Sequence, residues 1–428
     1  MSVRDEVPME AAAAGALAQE GMRRSLASFG NLAAGETVAS LLRFVGLIWV
    51  ARQLGPGAFG TASAGYAVAL YVTLFAHSGL DIVGTRALAR DARHADRTLG
   101  EIVGLRLLLA AGWYVLLLAG TFAAPLADDV RLVVILFGGS VFTFALDVRW
   151  SFVGIQRTRP AAVAAAVSAL SYLVGVIALV HRPGDLIRVP LVHVGAEAVM
   201  AAILMVASRR RFGRWRPTLP PDRLRPLLAA SAPVTFMLGV RGLTITVDVV
   251  LARILLSGAE AGRYAAASRI ATVGISYLGL YYVSLLPSVV RAFNRGPDAM
   301  RRLVRVALIR VLSIGPAVVL VATIATPPVV RLVLGPNYAG TARLLQVLLW
   351  GLLLLAFTGI YSSVLLAVDA RRVLVGVTAV ALAVNVVANV VLLPRVGVMG
   401  AAIATLLTEA TMLALTWMAV RKHLRTAG

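Results

Sequence analysis

The 428 residues contain no cysteine, 20 acidic residues against 41 basic ones, and five histidines scattered along the chain. Without cysteine there is no disulfide and no thiolate metal site, and nothing can be read about redox compartment. The histidines, at 77, 94, 181, 193 and 423, form no metal-ligand cluster, so no metal and no cofactor are expected. A P-loop, G-x-x-x-x-G-K-[ST], is also missing, and Lys422 is the single lysine, which excludes ATP hydrolysis by that motif. Charge of any sign is scarce: 14% of residues against about 25% in soluble domains. A water-soluble globule of this length could not cover its surface with so little.

Apolar residues make up 59% of the chain and mean hydropathy is +0.86, which identifies an integral membrane protein. About twenty apolar residues cross the roughly 30 Å hydrocarbon core. Runs of that kind lie near 26–51, 60–83, 102–124, 132–154, 161–180, 187–207, 227–252, 264–289, 306–329, 343–367, 373–393 and 398–420. The sequence therefore predicts an all-α fold of twelve transmembrane helices. The apolar stretch Ala11–Ala18 is too short to span, and acidic residues crowd the first twenty, so the first span is expected to serve as the targeting signal.

The net charge of +21 does not indicate nucleic-acid binding, because the arginines sit in short connections between apolar runs. The termini and even-numbered loops hold 26 basic residues, the odd-numbered loops seven, and the alternation is unbroken along the chain. By the positive-inside rule both termini are cytoplasmic. The most basic and proline-rich stretch, Arg209 to Arg225, divides the chain. Expected segments are a cytoplasmic N-terminal piece (1–25), a six-helix lobe (26–208), a basic cytoplasmic linker (209–226), a second six-helix lobe (227–420) and a tail (421–428).

The halves resemble each other. Leu54-Gly55-Pro56-Gly57-Ala58-Phe59-Gly60 can be laid on Leu256-Ser257-Gly258-Ala259-Glu260-Ala261-Gly262, an offset of 202, and Glu197-Ala198-Val199-Met200 on Glu409-Ala410-Thr411-Met412, an offset of 212. Six spans is an even number, so the repeats run parallel and are related by an axis along the membrane normal, as in many alternating-access transporters. A central cavity between the lobes is the expected consequence. The outward connections are short, none longer than the stretch 330–342, which leaves no room for an extracytoplasmic catalytic domain and argues against an enzyme.

The first of those repeat segments, followed by Gly79-Leu80-Asp81 and Gly84-Thr85-Arg86, resembles the opening pattern of bacterial polysaccharide-biosynthesis flippases. These form the oligosaccharide-lipid branch of the superfamily that also contains the multidrug and toxin exporters. Ala261-Gly262-Arg263-Tyr264 with Ala267, then Asn385, Asn389, Leu392-Leu393-Pro394, Gly397 and Gly400-Ala401-Ala402-Ile403-Ala404-Thr405, are similar to later signatures of the same family. The resemblance implies an inner-membrane, alternating-access flippase. It would carry an isoprenoid-diphosphate-linked oligosaccharide from the cytoplasmic to the outer leaflet, in contact with membrane lipids and polysaccharide polymerase machinery. A cation-coupled multidrug exporter of the superfamily is the alternative.

Charges inside apolar spans cost about 2.5–3.5 kcal/mol on insertion scales, so each needs a partner or a wet cavity. Glu36 and Arg43 in the first span, and Arg241 and Asp248 in the seventh, are each seven residues apart and hence on one helical stripe. Cross-lobe pairs of Glu36 with Arg241 and Arg43 with Asp248 are expected, with both arginines also available to an anionic head group. Arg269 in the eighth span is a further cavity candidate. His77 with Asp81, and His193 with Glu197, have the i, i+4 spacing that places side chains side by side, and each could hold a transported proton. Asp147 and Arg149 beside Trp150 read equally as interfacial anchors or cavity residues. Asn385 and Asn389 share a helix face and suit interhelical hydrogen bonding.

Overall fold

Gly55 and Pro56 decide how the chain begins. Proline has no amide hydrogen to give and its ring crowds the preceding turn, while Gly55 takes φ 68°, ψ 172°, a conformation glycine adopts without strain. In this computed structural model, α1 (Glu6–Arg90) therefore breaks at Gly55. Its two limbs fold back on each other: Glu36 bonds Arg149 at 3.2 Å, while the Thr85 hydroxyl donates to the carbonyl of the adjacent Trp150. In a straight helix, residues 36 and 85 would lie about 70 Å apart. The structure describes residues 6–426, and side chains at 30 and 32–423 apart from 78, 241, 245, 280, 283, 284 and 286.

Among the described residues every element is helical. After α1 come α2 (Ala95–Ala123), α3 (Asp128–Gly138), α4 (Ser140–Ala145), α5 (Arg149–Gly154), α6 (Arg159–Leu179) and α7 (Arg188–Phe212). The second half holds α8 (Pro221–Leu255), α9 (Gly258–Asn294), α10 (Pro297–Leu334), α11 (Thr341–Ala367), α12 (Arg371–Val396) and α13 (Met399–Thr426). Among the described residues ten helices are long and apolar enough to cross a membrane, and the chain is a multi-pass membrane protein. The first of the ten, Leu32–Arg90, is the hairpin just described, and α9, with Glu260, Arg263, Arg269 and Arg291, is not among them. The fourth expected span is not one helix but α3, α4 and α5 in succession.

The cores show how the halves meet. One buried cluster joins both halves at the arginine-poor end, with Leu54 and Phe59 against Ala261, Tyr264, Tyr338, Leu345 and Ala401. At the arginine-rich end the cores are separate. One contains Leu80, Leu99, Val103, Trp150, Met200 and Trp215 of the first half, the other Val289, Val304, Ile360 and Val420 of the second. The second limb of α1 runs antiparallel along α8: Tyr71 accepts from Thr246, and the faces of Gly242 and Gly239 receive Leu74 and Phe75.

The arginine-poor end is closed by backbone against backbone. A methyl group on Gly60 would sit 2.1 Å from the carbonyl oxygen of Gly258, and one on Gly262 would sit 1.8 Å from that of Pro56. Gly60 and Gly262 are partners under the offset of 202, and their contacts are reciprocal, as a two-fold axis between parallel repeats produces.

The segment between the halves is docked, not loose. Trp215 is buried, with its indole N–H on the Ser208 hydroxyl. The Thr218 amide donates to the Gly100 carbonyl, and Arg223 reaches Glu101, which also holds Arg97. Gly100 and Gly104 provide the groove, since a side chain at either would strike the backbone of Arg216 or Thr218.

Candidate functional site

Three polar assemblies lie inside the bundle. The first is a cavity of about 340 Å³ lined by both limbs of α1, by α3, α6 and α7, and by α9 from the second half. Four of the expected residues share it: Arg43, His193, Glu197 and Arg269. Arg43 is 3.9 Å from Glu197. Arg269 has no acidic partner among the described residues and stands over the Tyr66 ring, 4.8 Å from its centre, a cation–π contact. Tyr66, Phe137 and Tyr172 surround the His193 ring at centroid distances of 5.3, 5.6 and 6.3 Å. The site is thus an aromatic box with two guanidinium groups and one carboxylate, net positive. Five of the six lining elements come from the first half, so the cavity is less evenly shared between halves than the repeat suggests.

The second assembly surrounds the break in the fourth span. When a helix stops inside a bilayer its last carbonyls lose their partners, and each unsatisfied group costs several kcal/mol there. Arg106 of α2, 1% exposed, donates to the carbonyls of Phe144 and Asp147 and lies 3.1 Å from the Asp81 carboxylate. The Asp147 carboxylate caps the next turn through the Arg149 amide at 2.9 Å and takes the Arg149 side chain at 2.7 Å. Arg149 in turn holds Glu36 at 3.2 Å. Asp81, Arg106, Asp147, Arg149 and Glu36 form one chain of alternating charge.

The third assembly is centred on Asp248, which is buried in α8 and has no cationic partner among the described residues. One carboxylate oxygen accepts from the Asn389 amide at 2.7 Å. The other accepts from the Tyr264 hydroxyl at 2.7 Å and the Thr405 hydroxyl at 2.9 Å. The Asn389 amide also touches the backbone carbonyl and side-chain oxygen of Asn385. The carboxylate is thus held by three neutral donors, two hydroxyls and one amide. No group of three or more His, Cys, Asp or Glu suited to a multivalent metal occurs among the described residues.

Several sequence expectations are corrected by this geometry. Arg43 pairs with Glu197, not Asp248, because Asp248 lies within the second half behind Tyr264. Glu36 pairs with Arg149, and its expected partner Arg241 lies outside the described side chains. His77 bonds the carbonyl of Val141 at 2.9 Å while Asp81 faces Arg106, so the two face different partners. His193 packs among aromatic rings while Glu197 meets Arg43. Asp147 and Arg149 pair with each other, and Arg149 also with Glu36. Arg106 was missed, although a lone arginine in an otherwise apolar third span signals a buried partner. Tyr66 and Tyr172 carry no such signal, since a tyrosine inside a span is unremarkable without knowledge of its neighbours.

Comparison with known proteins places this geometry. Residues 25–293 match the family model described as polysaccharide biosynthesis protein. No curated protein sequence matches the chain. Among solved structures, an inward-facing multidrug resistance MATE transporter of the MOP superfamily superposes with TM-score 0.70 at 14% identity, over 91% of this chain and 95% of that one. The lipid II flippase MurJ in an inward closed conformation also gives 0.70, at 13% identity over 91% and 87%. An outward-facing MATE transporter gives 0.59, at 15% identity over 95% of both chains. The fold is that of this superfamily, and the arrangement of helices is nearer the two inward conformations.

Proposed function

Since this chain belongs to the polysaccharide biosynthesis protein family, we propose that it is an alternating-access flippase. It moves an isoprenoid-diphosphate-linked oligosaccharide from the cytoplasmic to the outer leaflet of the inner membrane. The proposed topology has twelve spans in two six-helix lobes, with the arginine-rich end and both termini in the cytoplasm. The observation that carries this reading is the cavity in which Arg43 and Arg269 face aromatic walls. A diphosphate brings about two negative charges, and unit charges 4 Å apart interact by about 4 kcal/mol at an effective dielectric near 20. Guanidinium groups grip phosphate oxygens in bidentate fashion, and flat rings suit the apolar faces of sugars. Glu197 neutralises Arg43 while the cavity is empty, so binding exchanges one partner for another. At about 340 Å³ the space suits the head group and not a whole oligosaccharide, whose remainder would lie toward the separated cores of the cytoplasmic end.

Energy would come from the Asp248 assembly, where a buried carboxylate with no counter-ion among the described residues can take up a proton or monovalent cation as the lobes rearrange. The same assembly suits a cation-coupled multidrug exporter, but that cargo is cationic, and two arginines against one glutamate oppose it. The deciding experiment measures flipping of a lipid-linked oligosaccharide in vesicles. Arg43→Ala and Arg269→Ala should each abolish it with the protein still folded, and Arg→Lys should restore it in part, since a lysine cannot make the bidentate grip. Full activity of the double alanine variant would remove the diphosphate role, and export of cationic drugs instead would favour the alternative.

A further inference from the structure

A second, larger hollow lies on the flank of the second half and shares no lining residue with the cavity of Arg43 and Arg269. Its volume is about 1300 Å³, between α10, α11 and α13. Along α10 the wall is Arg301, Val304, Arg305, Leu308, Ile309 and Leu312, the i, i+3, i+4 stripe of one helix face. The facing stripe on α13 runs the opposite way, from Ala410 to Arg421. Antiparallel packing thus brings Arg301, Arg305 and Arg421 to the same end and leaves the rest of the hollow apolar, floored by Leu354 and Phe357 of α11.

We infer that this groove binds an anionic glycerophospholipid, its phosphate against Arg305, Arg421 and Arg301 and its acyl chains along the apolar stripe. Three observations select that occupant. No acidic side chain lines the groove; Arg301 is bonded to Asp298 at 3.1 Å, outside the lining, and Arg421 stands over Trp417 at 5.4 Å. From Arg301 to Leu312 the stripe measures about 16 Å at 1.5 Å per residue, close to one leaflet of a roughly 30 Å hydrocarbon core. Ile309 and Leu312 are half or more exposed, as side chains touching acyl chains would be. A second copy of this chain is disfavoured, since a two-fold contact through the groove would set arginine against arginine. Basic pockets between transmembrane helices at the cytoplasmic level are a recurrent way of holding anionic head groups. Assignment to the inner leaflet rests on the orientation proposed above; the binding does not.

The test uses the purified full chain in detergent, titrated with phosphatidylglycerol or with phosphatidylcholine of the same acyl chains, with bound lipid counted by native mass spectrometry. Each arginine beside an anionic head group contributes about fivefold in affinity. Phosphatidylglycerol should therefore bind at least tenfold more tightly than phosphatidylcholine, and Arg305→Gln/Arg421→Gln should abolish the difference. Ala414→Trp, which fills the groove and leaves every arginine in place, should weaken both lipids while the lipid-free protein melts unchanged. Equal affinities in the unaltered protein, or a preference that survives both variants, would overturn the inference. Displacement of phosphatidylglycerol by a polyprenyl phosphate at equimolar concentration would overturn it too, by giving the groove to the carrier lipid. Because the readout is binding in detergent, failure here is separate from failure of the flippase reading.

Discussion

Substitution of Gly262 by alanine tests whether the glycine contact closes the arginine-poor end, the outer one in the proposed topology. The added methyl carbon would lie 1.8 Å from the Pro56 carbonyl oxygen and 3.0 Å from the Gly60 amide nitrogen. Carbon and oxygen sit no closer than about 3.3 Å even in favourable C–H···O contacts, so the two hairpins must part by about 1.5 Å. Both sides of the contact are backbone, and no rotamer change can relieve it. Overpacking of this kind costs about 1–3 kcal/mol, and the cost falls only on the conformation in which the hairpins touch. The equilibrium between closed and open outer ends should therefore shift about 5- to 150-fold toward open. The absence of cysteine makes the assay direct. Ser63→Cys, in the cavity wall just inside the seal, would be the sole thiol, and its labelling rate by an impermeant maleimide from outside should rise by that factor. Gly57→Ala is the control, since nothing lies within 4 Å of a methyl group there. A labelling rate unmoved by Gly262→Ala in a folded protein, or raised equally by Gly57→Ala, would refute the seal.

Topology is checked with single cysteines at Asp128 and Arg216, the first expected to label from outside and the second from inside; labelling from one side only would break the span count. Arg106→Ala leaves Asp81 without its counter-charge and the carbonyls of Phe144 and Asp147 without their donor; an unsatisfied buried polar group costs about 1–3 kcal/mol, so the variant should melt lower by several degrees, with Arg106→Lys rescuing little. Asp248→Asn should stop ion-driven transport while leaving diphosphate binding at Arg43 and Arg269 intact, measured as substrate-analogue affinity. In the loop between α6 and α7, amide donation from His181 and the neighbouring Arg188 hold Asp185 below the ordinary carboxylate range. Its contribution to stability is present above the unfolded value of about 3.9 and lost as pH falls through the lower folded value. Asp185→Asn should therefore lower the melting temperature at neutral pH and flatten its acid dependence.

Much of the architecture was legible because a bilayer enforces simple rules. Apolar length and arginine alternation marked the helices and the short connections, and the offset of 202 pointed to Gly60 and Gly262, which touch. The motif residues carried more than they could disclose in one dimension. Tyr264 comes from one family signature and Asn385, Asn389 and Thr405 from another, and only folding brings them to Asp248. Charge pairing was read from helical stripes, which give the face of a helix but not its rotation against a neighbour. For that reason Arg43 was set against the wrong acid. The break in the fourth span left no proline or glycine at residues 146–148; what sustains it is Arg106, forty residues away in sequence and invisible to local propensity.

The docked segment between the halves bears on motion. Anchored by Trp215 and Thr218, and followed by Arg223 of the first turn of α8 on Glu101, it pins the base of α8 to the first half. That base would then serve as the hinge for any swing of the second half. Helix α8 has 35 residues, a lever of about 50 Å. A swing of about 10° at the hinge would carry its far end through about 9 Å, enough to part the glycine contact while the base of the lever stays where it is pinned.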